Sequence, residues 1–263
     1  MPRLLGMRLD AVTLEQAVER VVDASARGQG GTVLTPNVDI LYRYRSTPEW
    51  HPVFEHTDLL VADGMPLVVA SRIQGTPVPE QITGPTMVRA LSEAAARSNL
   101  SVILAGGGLN GEADKAAARL REIAPGLRVQ THPCYVEPEN VADELAKLAQ
   151  ALTEAQPEIV FIGLPFDTQI SVMTDMAPQL PGIWFIGVGS SYDVISGDRT
   201  DPDWVERWCL AWLWRLRRQP WMWRRFLRDD LPTGLHLWAD ALAKRLKQHF
   251  VTASVSPAKS EAR

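Results

Sequence analysis

Cysteine is scarce in this 263-residue chain: Cys134 and Cys209 are the only two, far apart and without metal-ligand spacing. A disulfide scaffold and a structural zinc site are therefore not expected, and the thiols should be reduced, as in a cytosolic protein. No uninterrupted apolar run approaches the roughly 18 residues of a membrane-crossing helix. The opening MPRLLGMRLDAV lacks the apolar core of a secretory signal. The five histidines, His51, His56, His132, His236 and His249, form no H-x-x-x-H or H-E-x-x-H pattern. There is no G-x-S-x-G elbow, which argues against a serine hydrolase. No D-x-D pair includes Asp167, so a divalent cation bridging a nucleotide diphosphate has no evident ligand set, and no metal or other cofactor is expected. Disorder of the bulk is excluded, since 46% of residues are hydrophobic and only 22% charged.

What is present is an alternation of strand and helix signals. Helices are predicted over Thr13–Ala26, Thr86–Ser98, Glu112–Ala124 and Val141–Ala155. Short apolar runs predict strands over Thr32–Thr35, Leu59–Ala62, Ser101–Ala105, Leu127–Thr131, Glu158–Ile162 and Ile183–Val188. Strands of this length between helices indicate parallel βαβ units. The expected fold class is α/β: a Rossmann-like, mostly parallel sheet flanked by helices, with a C-terminal helical membrane-binding appendage. The expected domains are a catalytic body over 1–198, the appendage over 199–250 and a disordered tail over 251–263.

In an open α/β sheet, ligands bind beyond the carboxyl ends of the strands. That places the chemistry at Thr35–Asn37, Asp63-Gly64, Gly106–Gly108, Gly163–Gln169 and Gly189–Asp193. Gly106 and Gly107 lie between a strand and a helix, where backbone N–H groups can cradle phosphate; a plain tight turn is at least as good a reading. Asp63, at a strand end, can act as a general base or simply cap a turn. Thr35 and Asn37 bracket Pro36 and offer neutral hydrogen bonds, or turn chemistry. Asp193, after Gly189-Ser190-Ser191-Tyr192, can hold a hydroxyl-rich ligand or cap a helix.

Charge and tryptophan are concentrated late. Residues 204–228 hold seven arginines against the single acid Glu206, with six of the nine tryptophans. Trp204, Trp208 and Trp212 recur every four residues, on one helical face, and Trp221 and Arg225 repeat that spacing after Pro220. Indoles favour the water–lipid boundary and guanidinium groups pair with phosphate, so an interfacial membrane element is the preferred reading. An oligomer seam remains open. A nucleic-acid surface is the weakest of the three, because the rest of the chain is acidic and carries no nucleic-acid motif.

Taken in order, TPNVDIL (Thr35–Leu41), VADGMPLVVASR (Val61–Arg72), PEQITGPTM (Pro79–Met87), the strand end LAGG (Leu104–Gly107), GLPFDTQ (Gly163–Gln169), GVGSSYDVISG (Gly187–Gly197) and DPDW…LAWLWRL…P…RRF (Asp201–Phe226) resemble the WecG/TagA/CpsF family of bacterial glycosyltransferases. The resemblance spans roughly residues 5–230. It implies inverting transfer of a sugar from a UDP-sugar donor to a polyprenyl-diphosphate-linked sugar acceptor, on the cytoplasmic face of the inner membrane. By the same resemblance, Asp63 is the catalytic base, and Thr35, Asn37 and Gln169 lie by the donor diphosphate and sugar. Arg215, Arg224 and Arg225, with Trp212 and Trp221, meet the lipid diphosphate and an anionic membrane surface.

The chain departs from members that transfer N-acetylmannosamine. Gln81 stands where they have Arg, Pro165-Phe166-Asp167-Thr168-Gln169-Ile170 replaces their Gly-x-Pro-Lys-Gln-Glu segment, and Thr200-Asp201-Pro202 replaces Arg-Ala-Pro. These departures favour the xanthan-type exopolysaccharide branch, with glucose moved from UDP-glucose to polyprenyl-diphosphate-linked glucose in a β-1,4 linkage. The alternatives are N-acetylmannosaminyl transfer to lipid-linked N-acetylglucosamine and, outside enzymes, a membrane-docked nucleotide-sugar-binding scaffold.

Overall fold

Short apolar runs become the interior strands of one sheet because both of their faces are covered. The computed structural model describes residues 1–108, 110–197 and 222–255. A small antiparallel hairpin, β1 (Arg3–Leu4) and β2 (Met7–Arg8), precedes the main sheet. The main sheet is six-stranded and parallel throughout. Its strands are β3 (Gly31–Leu34), β4 (Leu59–Leu60), β5 (Ser101–Gly106), β6 (Arg128–His132), β7 (Ile159–Gly163) and β8 (Trp184–Gly187). Their order is β4-β3-β8-β7-β5-β6. The chain therefore lays down β3 and β4 at one edge, crosses to build β5 and β6 at the other, and fills the gap with β7 and β8.

Alternate strand residues feed two cores. Val102, Leu104, Ile159, Phe161, Trp184 and Ile186 face one side, over α1 (Leu14–Ala26), α5 (Gly84–Arg97) and α6 (Glu112–Ile123). Ile103, Ala105, Val160, Ile162 and Phe185 face the other, over α2 (Val38–Ser46), α4 (Met65–Gln74) and α7 (Val141–Ala155). The short α3 (His51–His56) precedes α4, and α8 (Phe166–Ser171), running on into a π-helical turn to Met176, and α9 (Ser191–Ile195) follow β7 and β8. Capping fixes where helices begin: Thr13 and Gln16 form a reciprocal box at α1, and Thr83 and Thr86 do the same at α5.

The C-terminal part described is α10 (Met222–Arg225), a π-helical turn over Phe226–Asp230, and α11 (Leu231–Val255). α11 packs on α4 and α2. Its Leu237 and Ala241 are fully buried in the second core, and the Trp238 indole donates to the Pro66 carbonyl at 3.1 Å. α11 is thus fastened to the body, and it continues to Val255, into the stretch expected to be unstructured. Trp204, Trp208, Trp212, Arg215 and Trp221 lie outside the described residues. Among the described residues no helix is long and apolar enough to cross a membrane.

Candidate active site

The carboxyl ends of β3, β4, β7 and β8, with the loops that follow β5 and β6, open onto one cleft of about 500 Å³. Thr35, Asn37, Asp63, Gly107, Gln169, Gly189 and Asp193 all line it. Gly106 does not; it lies one residue deeper, in the strand, where a Cβ would press to 2.5 Å from the Gly163 carbonyl. Residues as far apart in the chain as Thr35 and Asp193 are brought together because four strands end side by side.

Asp63 follows β4 and is half-buried in the cleft wall. Its backbone N–H donates to the Pro36 carbonyl at 2.9 Å, which ties the β4 loop to the β3 loop. Asn37 stands across that junction and caps α2 by accepting the Ile40 N–H at 3.0 Å. Thr35, nearly buried, donates its hydroxyl to the Gly187 carbonyl at 3.3 Å, a bond long enough to be exchanged for a ligand oxygen. Gln169 is also buried, and its Nε2 donates to the Leu164 carbonyl at 2.8 Å. A Gln amide has two N–H groups, so one donor is left over.

The floor is built around Tyr192. Its fully buried ring lies against Gly107 and Gly163, and its hydroxyl donates to the carbonyls of Phe161 (2.8 Å) and Ala105 (3.2 Å). Burial raises its pKa well above the usual phenol value, so it stays neutral. This explains the glycine that ends β7: any Cβ there would collide with the ring.

Three further cleft residues lay outside the sequence reading. Glu112 opens α6, and its carboxylate accepts the Asn110 backbone N–H at 3.0 Å and the Asn110 side-chain amide at 2.7 Å. These bonds, led by the backbone one, hold its pKa below the usual range, so an anion already occupies this helix start. Tyr135 stands exposed on the rim. Cys134 beside it is buried, which pushes its thiol up to about 11 and keeps it protonated and unreactive at neutral pH. The signal for Glu112 was available in its first-turn position, whereas Tyr135 sits in a loop with no local pattern. Among the described residues no group of three His, Cys, Asp or Glu side chains is placed to hold a metal.

Arg224 and Arg225 are both exposed on α10. Arg225 reaches to 3.9 Å from the carboxylate of Asp39, itself a cleft residue. Among the described residues Arg224 makes no comparable approach.

A family model described as "Glycosyl transferase WecG/TagA/CpsF family" matches residues 2–247. The chain belongs to this family. Among related proteins, an N-acetylglucosaminyldiphosphoundecaprenol N-acetyl-beta-D-mannosaminyltransferase of Bacillus spizizenii is 24% identical over 202 residues, covering 76% of each chain. Enzymes of the same name from Bacillus subtilis strain 168 (23%, 75% of each chain) and Staphylococcus aureus strain MW2 (23%, 92% of this chain and 93% of that one) are similar. The match to the glycosyltransferase family agrees with the sequence reading. The relatives' names favour N-acetylmannosaminyl transfer over the glucose transfer that the motif departures had put first.

Proposed function

We propose that this WecG/TagA/CpsF member is an inverting transferase moving N-acetylmannosamine from a UDP donor to N-acetylglucosamine carried on a polyprenyl diphosphate. One observation carries the reading: Asp63, Thr35, Asn37, Gln169 and Asp193, from four separate strand ends, converge on a single cleft. The named activity of the relatives supports the choice of sugar. Glucose from UDP-glucose is the second reading, favoured by the uncharged Phe166 where the cleft turns towards α8.

The chemistry is one displacement. A hydroxyl oxygen of the acceptor sugar attacks the donor anomeric carbon, a C–O bond forms, and the bond to the diphosphate oxygen breaks. Asp63 takes the hydroxyl proton, and UDP leaves with the electron pair. The rim at Tyr135 offers a stacking face for uracil, and the Glu112 carboxylate accepts from ribose hydroxyls. Gln169, through its second N–H, meets the charge of the donor diphosphate, and guanidinium groups of the C-terminal element meet that of the acceptor's lipid diphosphate. A positioned base is worth about two to four orders of magnitude in rate.

The C-terminal element serves the lipid. Leu227, Leu231, Leu235, Trp238, Leu242 and Leu246 are exposed large apolar side chains spaced three or four apart. Such spacing forms one helical stripe, suited to an anionic membrane surface when flanked by Arg224 and Arg225.

The test is a donor panel. The full-length protein is given diphosphate-lipid acceptors bearing N-acetylglucosamine or glucose, with UDP-N-acetylmannosamine, UDP-N-acetylglucosamine and UDP-glucose in turn. Turnover with UDP-N-acetylmannosamine on the N-acetylglucosamine lipid supports the first reading. Turnover confined to UDP-glucose replaces it with the second. UDP binding without turnover on any pair leaves a nucleotide-sugar-binding scaffold.

A further inference from the structure

Beside the cleft, five charged side chains alternate in sign and cross four elements. Asp167 lies in the first turn of α8, and its carboxylate accepts from Arg43 Nη1 at 2.9 Å. Arg43 lies on α2, and its Nε approaches the Asp39 carboxylate at 3.3 Å, one helical turn away. Asp39 also faces Arg225 Nη1 at 3.9 Å, and the other end of that guanidinium lies 3.9 Å from Asp230. Asp39 alone of the five lines the cleft together with Asn37 and Asp63.

A carboxylate on the wall of a site that receives an organic diphosphate repels its own ligand unless it holds cations. Asp39 holds two, and both converge on the same Oδ2. The Arg43 contact is braced from behind by Asp167. The Arg225 contacts are different in kind. At 3.9 Å both exceed the roughly 2.7–2.9 Å of a formed charge-assisted hydrogen bond. Arg225 is therefore steered by two carboxylates without its five donors being consumed, and its side chain stays 41% exposed. A guanidinium held loosely, at the edge of the cleft, is arranged to receive a planar pair of phosphate oxygens.

We propose that Asp39 is a positioning residue: it holds Arg225 of the C-terminal element at the cleft mouth, where the guanidinium engages the diphosphate of the lipid-linked acceptor. The proposal rests on the transferase reading above and adds to it the residue that couples α2 to the C-terminal element. Asp39 itself touches no reacting atom. Its effect is confined to acceptor capture.

Full-length Asp39→Asn, Asp39→Glu, Arg225→Gln and the Asp39→Asn/Arg225→Gln double variant are assayed against diphosphate-lipid acceptor and UDP-sugar donor. Asp39→Asn raises the acceptor KM about tenfold while kcat and the donor KM stay within about twofold. Asp39→Glu, which keeps the charge, recovers most of the loss. The double variant is no worse than Arg225→Gln alone, because the two side chains act as one unit. Multiplying effects, or an Asp39→Asn defect in kcat or donor KM, overturn the proposal. A second readout is independent of turnover: binding of farnesyl diphosphate in the presence of saturating UDP. Asp39→Asn and Arg225→Gln weaken it to the same extent. Weakening by Arg225→Gln alone sinks the role of Asp39. Intact farnesyl diphosphate binding in both variants sinks the diphosphate contact. Absence of turnover in the wild type with this binding pattern preserved counts against the transferase reading and not against the positioning role.

Discussion

Asp230 is a carboxylate that the fold penalises. Burial pushes it up to about 6, with Asp39 and Asp229 adding to the rise and Arg225 and Arg43 opposing it. A carboxyl group whose folded pKa is raised stabilises the fold only below its unfolded pKa, near 3.8, and that contribution is lost as pH climbs through 6. The loss is on the order of 2 kcal/mol. Asp230→Asn is therefore expected to raise the melting temperature at pH 7–8, with the gain vanishing towards pH 4. A gain of equal size at both pH values would contradict the assignment. Residues of this kind were not legible in the sequence, because Asp230 is buried by α2, which lies far away in the chain. Asp63, Thr35, Asn37 and Gln169 were legible for the opposite reason. Each follows a short apolar run, and the end of a parallel strand faces the ligand side whatever the tertiary details. Their hydrogen-bond partners within the fold were not legible. The Thr35 bond to Gly187 and the Gln169 bond to Leu164 depend on which strands become neighbours.

At the scale of elements, the sheet and the cleft floor depend on each other. Tyr192 fills the space that Gly107 and Gly163 leave, and its hydroxyl bridges the ends of β5 and β7. Gly163→Ala drives a methyl group into that ring and should cost about 1–3 kcal/mol, read as a lower urea midpoint. Tyr192→Phe should cost about 1–3 kcal/mol by removing the hydroxyl from a buried site. Combined with Tyr192→Leu, which empties the space, Gly163→Ala should cost clearly less than it does alone; full additivity would refute the packing account. Long amphipathic helices and buried strands were visible as periodic patterns, and Val141–Ala155 was placed with its observed ends. Helices α2 and α4 were not, because each begins directly at a motif, Asn37 and Gly64-Met65-Pro66, that reads equally as turn chemistry. The hairpin β1–β2 contributes only two residues per strand, too few for any period to register.

On the scale of the whole molecule, α11 presents two different faces. Leu237 and Ala241 close the body's core, while Leu235, Leu242 and Leu246 stand out on the opposite side. From Leu231 to Leu246 the outer stripe runs roughly 22 Å at 1.5 Å per residue. Cutting the chain before this element would thus open the core as well as remove the stripe, and the two effects would be confounded. Leu235→Gln/Leu242→Gln/Leu246→Gln separates them. Melting temperature should stay within about 2 °C, since exposed changes rarely exceed 0.5 kcal/mol. Sedimentation with anionic vesicles should fall several-fold. Unchanged sedimentation would remove the stripe from the account of lipid binding. The composition of residues 204–228 pointed to this end of the chain. It did not point to α11, whose leucines carry no unusual charge or tryptophan density.

In the proposed reaction Asp63 removes the acceptor proton in the cleft it shares with Thr35, Asn37 and Gln169. Single-turnover transfer by Asp63→Asn, measured beside UDP binding by the same preparation, tests it most directly. The transfer rate should fall by about two to four orders of magnitude, with UDP affinity unchanged. Transfer at a rate close to wild type would contradict it.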